Sequence, residues 1–314
     1  MASYNGAFQI KKQLNSYLDQ TRKPDQLVIS DDNSTDETLK LCREFKERAP
    51  FTVEIYKNSN NVGFTKNFSN ALSKCTGDVI FISDQDDIWL PKKIEIVTEL
   101  FKSNPKKLLV AHDGELVDEN LGSLGATKIG QVRSAYGTSA TIQTGALTAI
   151  RKELLSLALP IPASVVGHDI WIHHLAELLD SRLITLNVLQ KIVRHQSNTS
   201  RSVVSSVKKI NSIDALKHDL KTAPASSYSD RISLNKSSIE VLEQLIGKSE
   251  KSLSTAALTG LQNLYRERNA LNTRQELVES PLLVQKLICL KMLLSGDYVH
   301  FNGMKSFLRD LLRF

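Results

Sequence analysis

No run of about 18 apolar residues occurs in this 314-residue sequence, so no segment reads as a membrane-spanning helix. The longest apolar stretch, Pro281 to Leu294, is broken by Gln285, Lys286 and Lys291. The opening residues, MASYNGAFQIKK, hold no apolar run of the kind a secretory leader carries. Cysteine is scarce. Cys42, Cys75 and Cys289 are odd in number and far apart, which argues against a disulfide framework or a cysteine zinc site and for a reducing, cytoplasmic compartment. There is no internal repeat, and the basic residues are dispersed without a nucleic-acid recognition motif. What remains is an ordinary globular composition, 41% hydrophobic and 24% charged, with a net charge of +6. That mild basic excess suits an anionic substrate or an acidic membrane surface.

The first half alternates β-rich runs with helical patterns, the mark of an α/β sheet flanked by helices. Strands are expected at Gln26–Ser30, Phe51–Tyr56, Asp78–Ser83, Leu108–Ala111 and Ser139–Ile150. A helix carries Leu39, Cys42 and Phe45 on one face, and another covers Asn67–Ser73 before Gly77. Only Met1 and Ala2 stand before the loop SYNG, so the first strand reads as truncated and the natural start is expected upstream, since an empty central slot leaves backbone groups unpaired. From about Arg201 the character changes to helical patterns, with Ile239, Leu242, Ile246 and then Leu258, Leu261, Tyr265 as the expected apolar faces. A catalytic domain over 1–205 and a helical region over 206–314 follow. Residues 281–314 mix apolar and basic side chains, which suits an interfacial helix pair as well as a cover for the first domain.

Asp84, Asp86 and Asp87 sit at the end of an apolar strand, in SDQDDIW. Three packed carboxylates repel one another, and a hard divalent cation is the simplest compensation, an acidic turn being the alternative. The run Ser30 to Asp36 follows another strand, where ligands of open α/β sheets sit. Asp32 there is placed to meet a base or ribose, while Ser34 and Glu37 have the spacing of a capping box. Asp169, in Gly167–Trp171, precedes a helical stretch and reads either as a cap or as a general base. His195, after Arg194, is either structural or completes a metal site.

Taken in order, ASYNG, QTRKPDQLVISDDNSTDET, NNVGFTKNFSNAL, TGDVIFISDQDDIW, QTGALTAIRKEL, GHDIW and RHQSN resemble the inverting family 2 glycosyltransferases of GT-A fold, over residues 1–200. DQDDIW and HDIW are similar to the rhamnosyltransferase-like branch. The resemblance implies a Rossmann-like mixed, mainly parallel sheet and a helical C-terminal region. It implies a nucleotide-sugar donor (dTDP-, UDP- or GDP-linked), a Mn²⁺ or Mg²⁺ ion, and a saccharide or polyprenyl-linked acceptor at the inner membrane face. Residue by residue, Asp32 with Ser3 and Tyr4 would hold the base or ribose, and Asn61, Gly63 and Asn67 would line the donor pocket. Asp84 would serve donor and metal together, Asp86 and Asp87 the metal with His195, Gln143–Ala146 the acceptor side, and Asp169 the base. The sequence departs from the family where His168 replaces an acidic residue before Asp169. The Gln-x-x-Arg-Trp pattern of processive synthases is missing, which implies transfer of single sugars. A non-catalytic scaffold descended from such an enzyme is the competing class, and the intact carboxylates at 84, 86, 87 and 169 argue against it.

Overall fold

A computed structural model describes residues 1–137, 143–194, 227–247, 251–301 and 303–313. The chain divides into two compact units, Met1–Ala223 and Pro224–Phe314.

The first unit holds two sheets. In the first, β1 (Ala2–Ser3), β2 (Gln26–Asp31) and β3 (Thr52–Lys57) lie in that order and are all parallel. Parallel neighbours need crossovers, supplied by α1 (Ile10–Leu18) and α2 (Thr38–Arg48). Leu27, Val28 and Ile29 are all buried, as a strand covered on both faces requires. One core cluster combines Ile10, Leu14 and Tyr17 of α1, Cys42 and Phe45 of α2, and Trp89. β1 is two residues long; ahead of it the buried Met1 ammonium donates to the Val28 carbonyl at 2.7 Å.

The second sheet is mixed. Its strands are β4 (Val79–Phe81), β5 (Ile88–Trp89), β6 (Leu109–Val117), β7 (Ser123–Thr127), β8 (Thr148–Arg151) and β9 (Arg182–Val193). The order is β4-β8-β6-β9-β5, with β7 on β6; among the described strands β6 and β9 run parallel and the other pairs are antiparallel. Helices α3 (Phe64–Leu72), α4 (Lys93–Ser103), α5 (Lys128–Tyr136), α6 (Lys152–Ala158) and α7 (His168–Leu178) complete the unit. The α/β class expected from the alternating pattern is therefore observed, with the parallel character concentrated in the first sheet.

Several local expectations change. Of the segment expected as a strand over Ser139–Ile150, residues 139–142 lie outside the described residues, 143–147 form a loop and turn, and a strand runs over Thr148–Arg151. The capping box from Ser34 does not form. Helix α2 begins at Thr38, whose N–H bonds Asp36 Oδ1 at 3.0 Å, and the Ser34 hydroxyl donates to Asp31 instead.

The second unit is helical: α8 (Ser227–Gly247), α9 (Lys251–Glu279), α10 (Leu282–Leu294), a 3₁₀ turn (Asp297–His300) and α11 (Met304–Arg313). Ile239 and Leu242 are buried as the pattern predicts, but Leu258 and Tyr265 are exposed. The buried row of α9 is Ala257, Leu264, Leu271 and Leu277, the alternative stripe on a helix apolar on two sides. Leu277, Ile288, Cys289, Met292 and Tyr298 form this unit's core. Beside it Arg274 and Asp310 make a buried ion pair at 2.7 Å, with the guanidinium 4.2 Å from the Phe301 ring centre.

Candidate active site

Three loops meet where β1, β2 and β4 end, and side-chain hydrogen bonds tie them together. Asp31, fully buried, accepts from the Ser3 hydroxyl at 2.9 Å, the Ser34 N–H at 2.8 Å and the Ser34 hydroxyl at 2.6 Å. Ser34 in turn receives the Asn5 N–H at 2.9 Å, and Thr38 receives Gly6 N–H at 2.8 Å. The Gln85 amide clasps the backbone of exposed Tyr4, accepting its N–H at 2.9 Å and donating to its carbonyl at 3.0 Å. A Cβ at position 6 would collide with the Gln85 side chain, so Gly6 permits this approach.

Asp32 is buried, and its carboxylate is largely engaged by the neighbouring loop. It accepts from Asn58 Nδ2 at 2.9 Å, Val62 N–H at 2.8 Å and Gly63 N–H at 2.9 Å. Four acceptor positions less three bonds leave room for about one more partner, so its main visible work is to shape residues 58–63. Asn61 Oδ1 takes the same Gly63 N–H at 3.1 Å. Gly63, with φ +84° and ψ 158°, caps α3 in a conformation nearly restricted to glycine. Asn67, one turn into α3, is buried between Asn58 at 3.0 Å and the Ser3 carbonyl at 3.3 Å. The sequence-derived residues Ser3, Tyr4, Asp32, Asn61, Gly63 and Asn67 thus belong to one connected framework.

Asp84, Asp86 and Asp87 can each bring an oxygen within 4.8 Å of the others. Burial, then Asp86, then Asp169 push the Asp84 carboxyl up to about 7, and burial with Asp86 and Asp84 raises Asp87 well above the carboxylate range. Asp169 therefore stands close enough to act on Asp84 electrostatically. Gln190 on β9 donates to Asp87 Oδ2 at 2.5 Å. Buried Lys93 lies behind the cluster, donating to Gln190 Oε1 at 2.6 Å and the Ala146 carbonyl at 3.2 Å, with its ammonium 4.0 Å from the Trp89 ring centre. Burial drives the Lys93 ammonium pKa well down, against the pull of Asp87 and Asp84. Carboxylates that repel into partial protonation, so close together and oxygen-only, are the donor set a hard divalent cation takes.

Asp169 occupies the first turn of α7, after Gly167 at φ +99°; Gly167 N–H bonds Thr65 Oγ1 at 3.1 Å, joining α3 to α7. Gly167, not Asp169, is the residue at the cap position, and Asp169 Oδ1 accepts the adjacent Ile170 N–H at 2.9 Å. His168 is buried, stacked on Phe68 at 3.8 Å between ring centres, and burial lowers its pKa to about 4. It is neutral and cannot imitate the acidic residue it replaces. Gly145 passes so close that a Cβ there would lie 2.6 Å from His168 Nε2, which brings the 143–146 segment against this helix start.

Two cations absent from the sequence-derived set face the acidic cluster. Lys128 opens α5, and burial lowers its pKa to about 8 with Arg194 acting in the same direction and Asp169 and Asp87 opposing. Arg194, at the end of β9, is likewise lowered by burial and held up by Asp87 and Asp86. Lys128 has no sequence motif; buried Asp113 places it by accepting Ile129 N–H at 2.9 Å. His195, expected beside the metal, lies outside the described residues.

Compared with protein families, residues 1–155 match Glycosyl transferase family 2. An uncharacterized glycosyltransferase of Nostoc sp. is 29% identical over 170 residues, covering 51% of this chain and 52% of that one. The dTDP-rhamnosyl transferase RfbG of Shigella flexneri is 40% identical over 99 residues, covering 30% of this chain and 34% of its own. The match thus spans about half or less of these relatives' length. Among solved structures, residues 1–349 of Staphylococcus aureus TarS, in complex with UDP, align with a TM-score of 0.51 at 14% identity, covering 86% of this chain and 89% of that one. That likeness speaks to the fold.

Proposed function

We propose, from the match of residues 1–155 to glycosyl transferase family 2, that this protein transfers a single sugar from a nucleotide-diphosphate sugar to an acceptor hydroxyl with inversion. The observation that carries the reading is the meeting of Asp84, Asp86 and Asp87 with Asp169, set among loops built on Ser3, Asp32 and Gly63. Tyr4, Asp32, Asn61 and Asn67 shape the donor pocket with Ser3 and Gly63, and Asp32 keeps about one acceptor position for a base or ribose donor group.

Asp84, Asp86 and Asp87 would hold Mn²⁺ or Mg²⁺; when bound, the ion supplies Lewis-acid neutralisation of diphosphate charge. Asp169 takes the acceptor proton as general base. Lys128 and Arg194, which feel the charge of the acidic cluster, would offset diphosphate charge there. Residues 143–146, against His168, border the acceptor side.

The partial likeness to a dTDP-rhamnosyl transferase supports rhamnose as the sugar and dTDP as the carrier nucleotide, with a bacterial surface polysaccharide as the proposed product. The proposed acceptor is a saccharide or a polyprenyl-linked one at the cytoplasmic face of the inner membrane. Asp86→Ala tests the reading. Sugar transfer from the nucleotide sugar should be lost while the thermal transition is kept, and an active, metal-responsive Asp86→Ala variant would sink the assignment.

A further inference from the structure

Leu283, Leu287, Leu290 and Leu294 recur along α10 at steps of four, three and four, which aligns them in one stripe. They are 81%, 68%, 49% and 80% exposed. The residues α10 buries are Gln285, Ile288, Cys289 and Met292, and at about 100° per residue the two sets centre on opposite sides of the helix. The leucines therefore point away from their own unit's core. Lys286 and Lys291 flank the stripe, one on each border, and the helix contains no Asp or Glu.

Helix α11 repeats the arrangement. Met304, Leu308, Leu311 and Leu312 are exposed on the side opposite buried Ser306 and Asp310, with Lys305 and Arg309 along one edge. Val299, in the turn between the helices, is exposed as well. Scattered surface leucines are ordinary, but two apolar stripes bordered by cations mark an interaction surface.

The charges decide the occupant. Around the stripes stand Lys286, Lys291 and Lys305, with Arg309 3.7 Å from the Asp310 carboxylate that buried Arg274 also holds; Asp297 is the other carboxylate of residues 282–312. A second copy would bring like charges together. An anionic bilayer instead takes leucines into its acyl boundary and lysine heads into its phosphate layer, their methylene stems bridging the two. With 13 residues, α10 is too short to span, and no helix among the described residues is long and apolar enough to cross a membrane. We propose that the outward faces of α10 and α11 form a docking surface for an anionic lipid bilayer. The inference deepens the sugar-transfer reading by naming how a membrane-borne acceptor is met, yet it stands on residues 282–312 alone.

Sedimentation of the full chain with vesicles tests it. Binding should appear on vesicles containing phosphatidylglycerol, exceed that on phosphatidylcholine alone, and weaken with salt. Combining Leu283→Ser, Leu287→Ser and Leu294→Ser should cut partitioning at least about tenfold with the thermal transition unchanged. Lys286→Glu with Lys291→Glu should reduce it about fivefold or more per site on the anionic vesicles. Equal partitioning of the leucine variant and wild type would overturn the proposal. So would a dimer by light scattering that the leucine substitutions convert to monomer, since the stripe would then belong to a second copy. Metal-dependent nucleotide binding by the leucine variant should match wild type, which separates this outcome from a failure of the sugar-transfer reading.

Discussion

Asp84 carries a proton-linked consequence. Burial and the neighbouring carboxylates place its metal-free titration at about 7, above the ordinary aspartate value. A raised acid binds its proton more tightly when folded, so its contribution to stability is present in acid and is lost as pH rises through about 7. A divalent cation needs the carboxylate form, so the Asp84 proton alone should lower Mn²⁺ affinity about fivefold from pH 7 to pH 6. Calorimetric titration of Mn²⁺ at pH 6, 7 and 8 checks this, and an affinity flat across that range contradicts it. The crowding of the three aspartates was legible because an apolar strand running into DQDD gathers carboxylates at a strand end. Lys128 and Arg194 facing them were not, because the approach of α5 and β9 depends on contacts such as Asp113 to Ile129 that local spacing does not encode.

At the scale of elements, strands read from short β-branched runs agree closely with the fold, as at Gln26–Asp31 and Thr52–Lys57. The twelve-residue β9 was not legible, because its RLITLNVLQKIV pattern is only partly buried and carries no turn signal of its own. The Ser34 capping box failed because buried Asp31 competes for the same hydroxyl. The loop after β3 is set by one glycine. Gly63 has open space around its Cα but a φ of +84°, so Gly63→Ala meets strain rather than collision. It should cost about 1–3 kcal/mol in denaturant unfolding and weaken nucleotide binding through the Asp32 bonds; an unchanged midpoint would mean residues 61–63 relax freely. In the helical unit, Asp310→Ala strands the buried Arg274 guanidinium and should cost about 3–5 kcal/mol, read from the thermal or denaturant transition. A loss under about 1 kcal/mol would show the guanidinium reaching water.

For the whole molecule, the two features lie in different compact units: Met1–Ala223 contains the carboxylate cluster and its loops, and Pro224–Phe314 contains the outward leucine stripes. The shift to Ser- and Lys-rich sequence and 3.6-residue periods put the expected change of character near residue 205, whereas the compact units divide at Ala223. The correct apolar face of α9 was not readable, since that helix offers two stripes and only packing selects Ala257, Leu264 and Leu271. The proposed chemistry rests on the Asp84, Asp86 and Asp87 cluster and the loops beside it binding a metal together with a nucleoside diphosphate. Calorimetric titration with UDP, dTDP and GDP, each with and without Mn²⁺, on wild type and Asp86→Ala decides the matter. One nucleotide should bind wild type only when Mn²⁺ is present, and Asp86→Ala should lose this binding. No binding of any nucleotide to folded wild-type protein, or binding indifferent to both Mn²⁺ and Asp86, would refute the proposal.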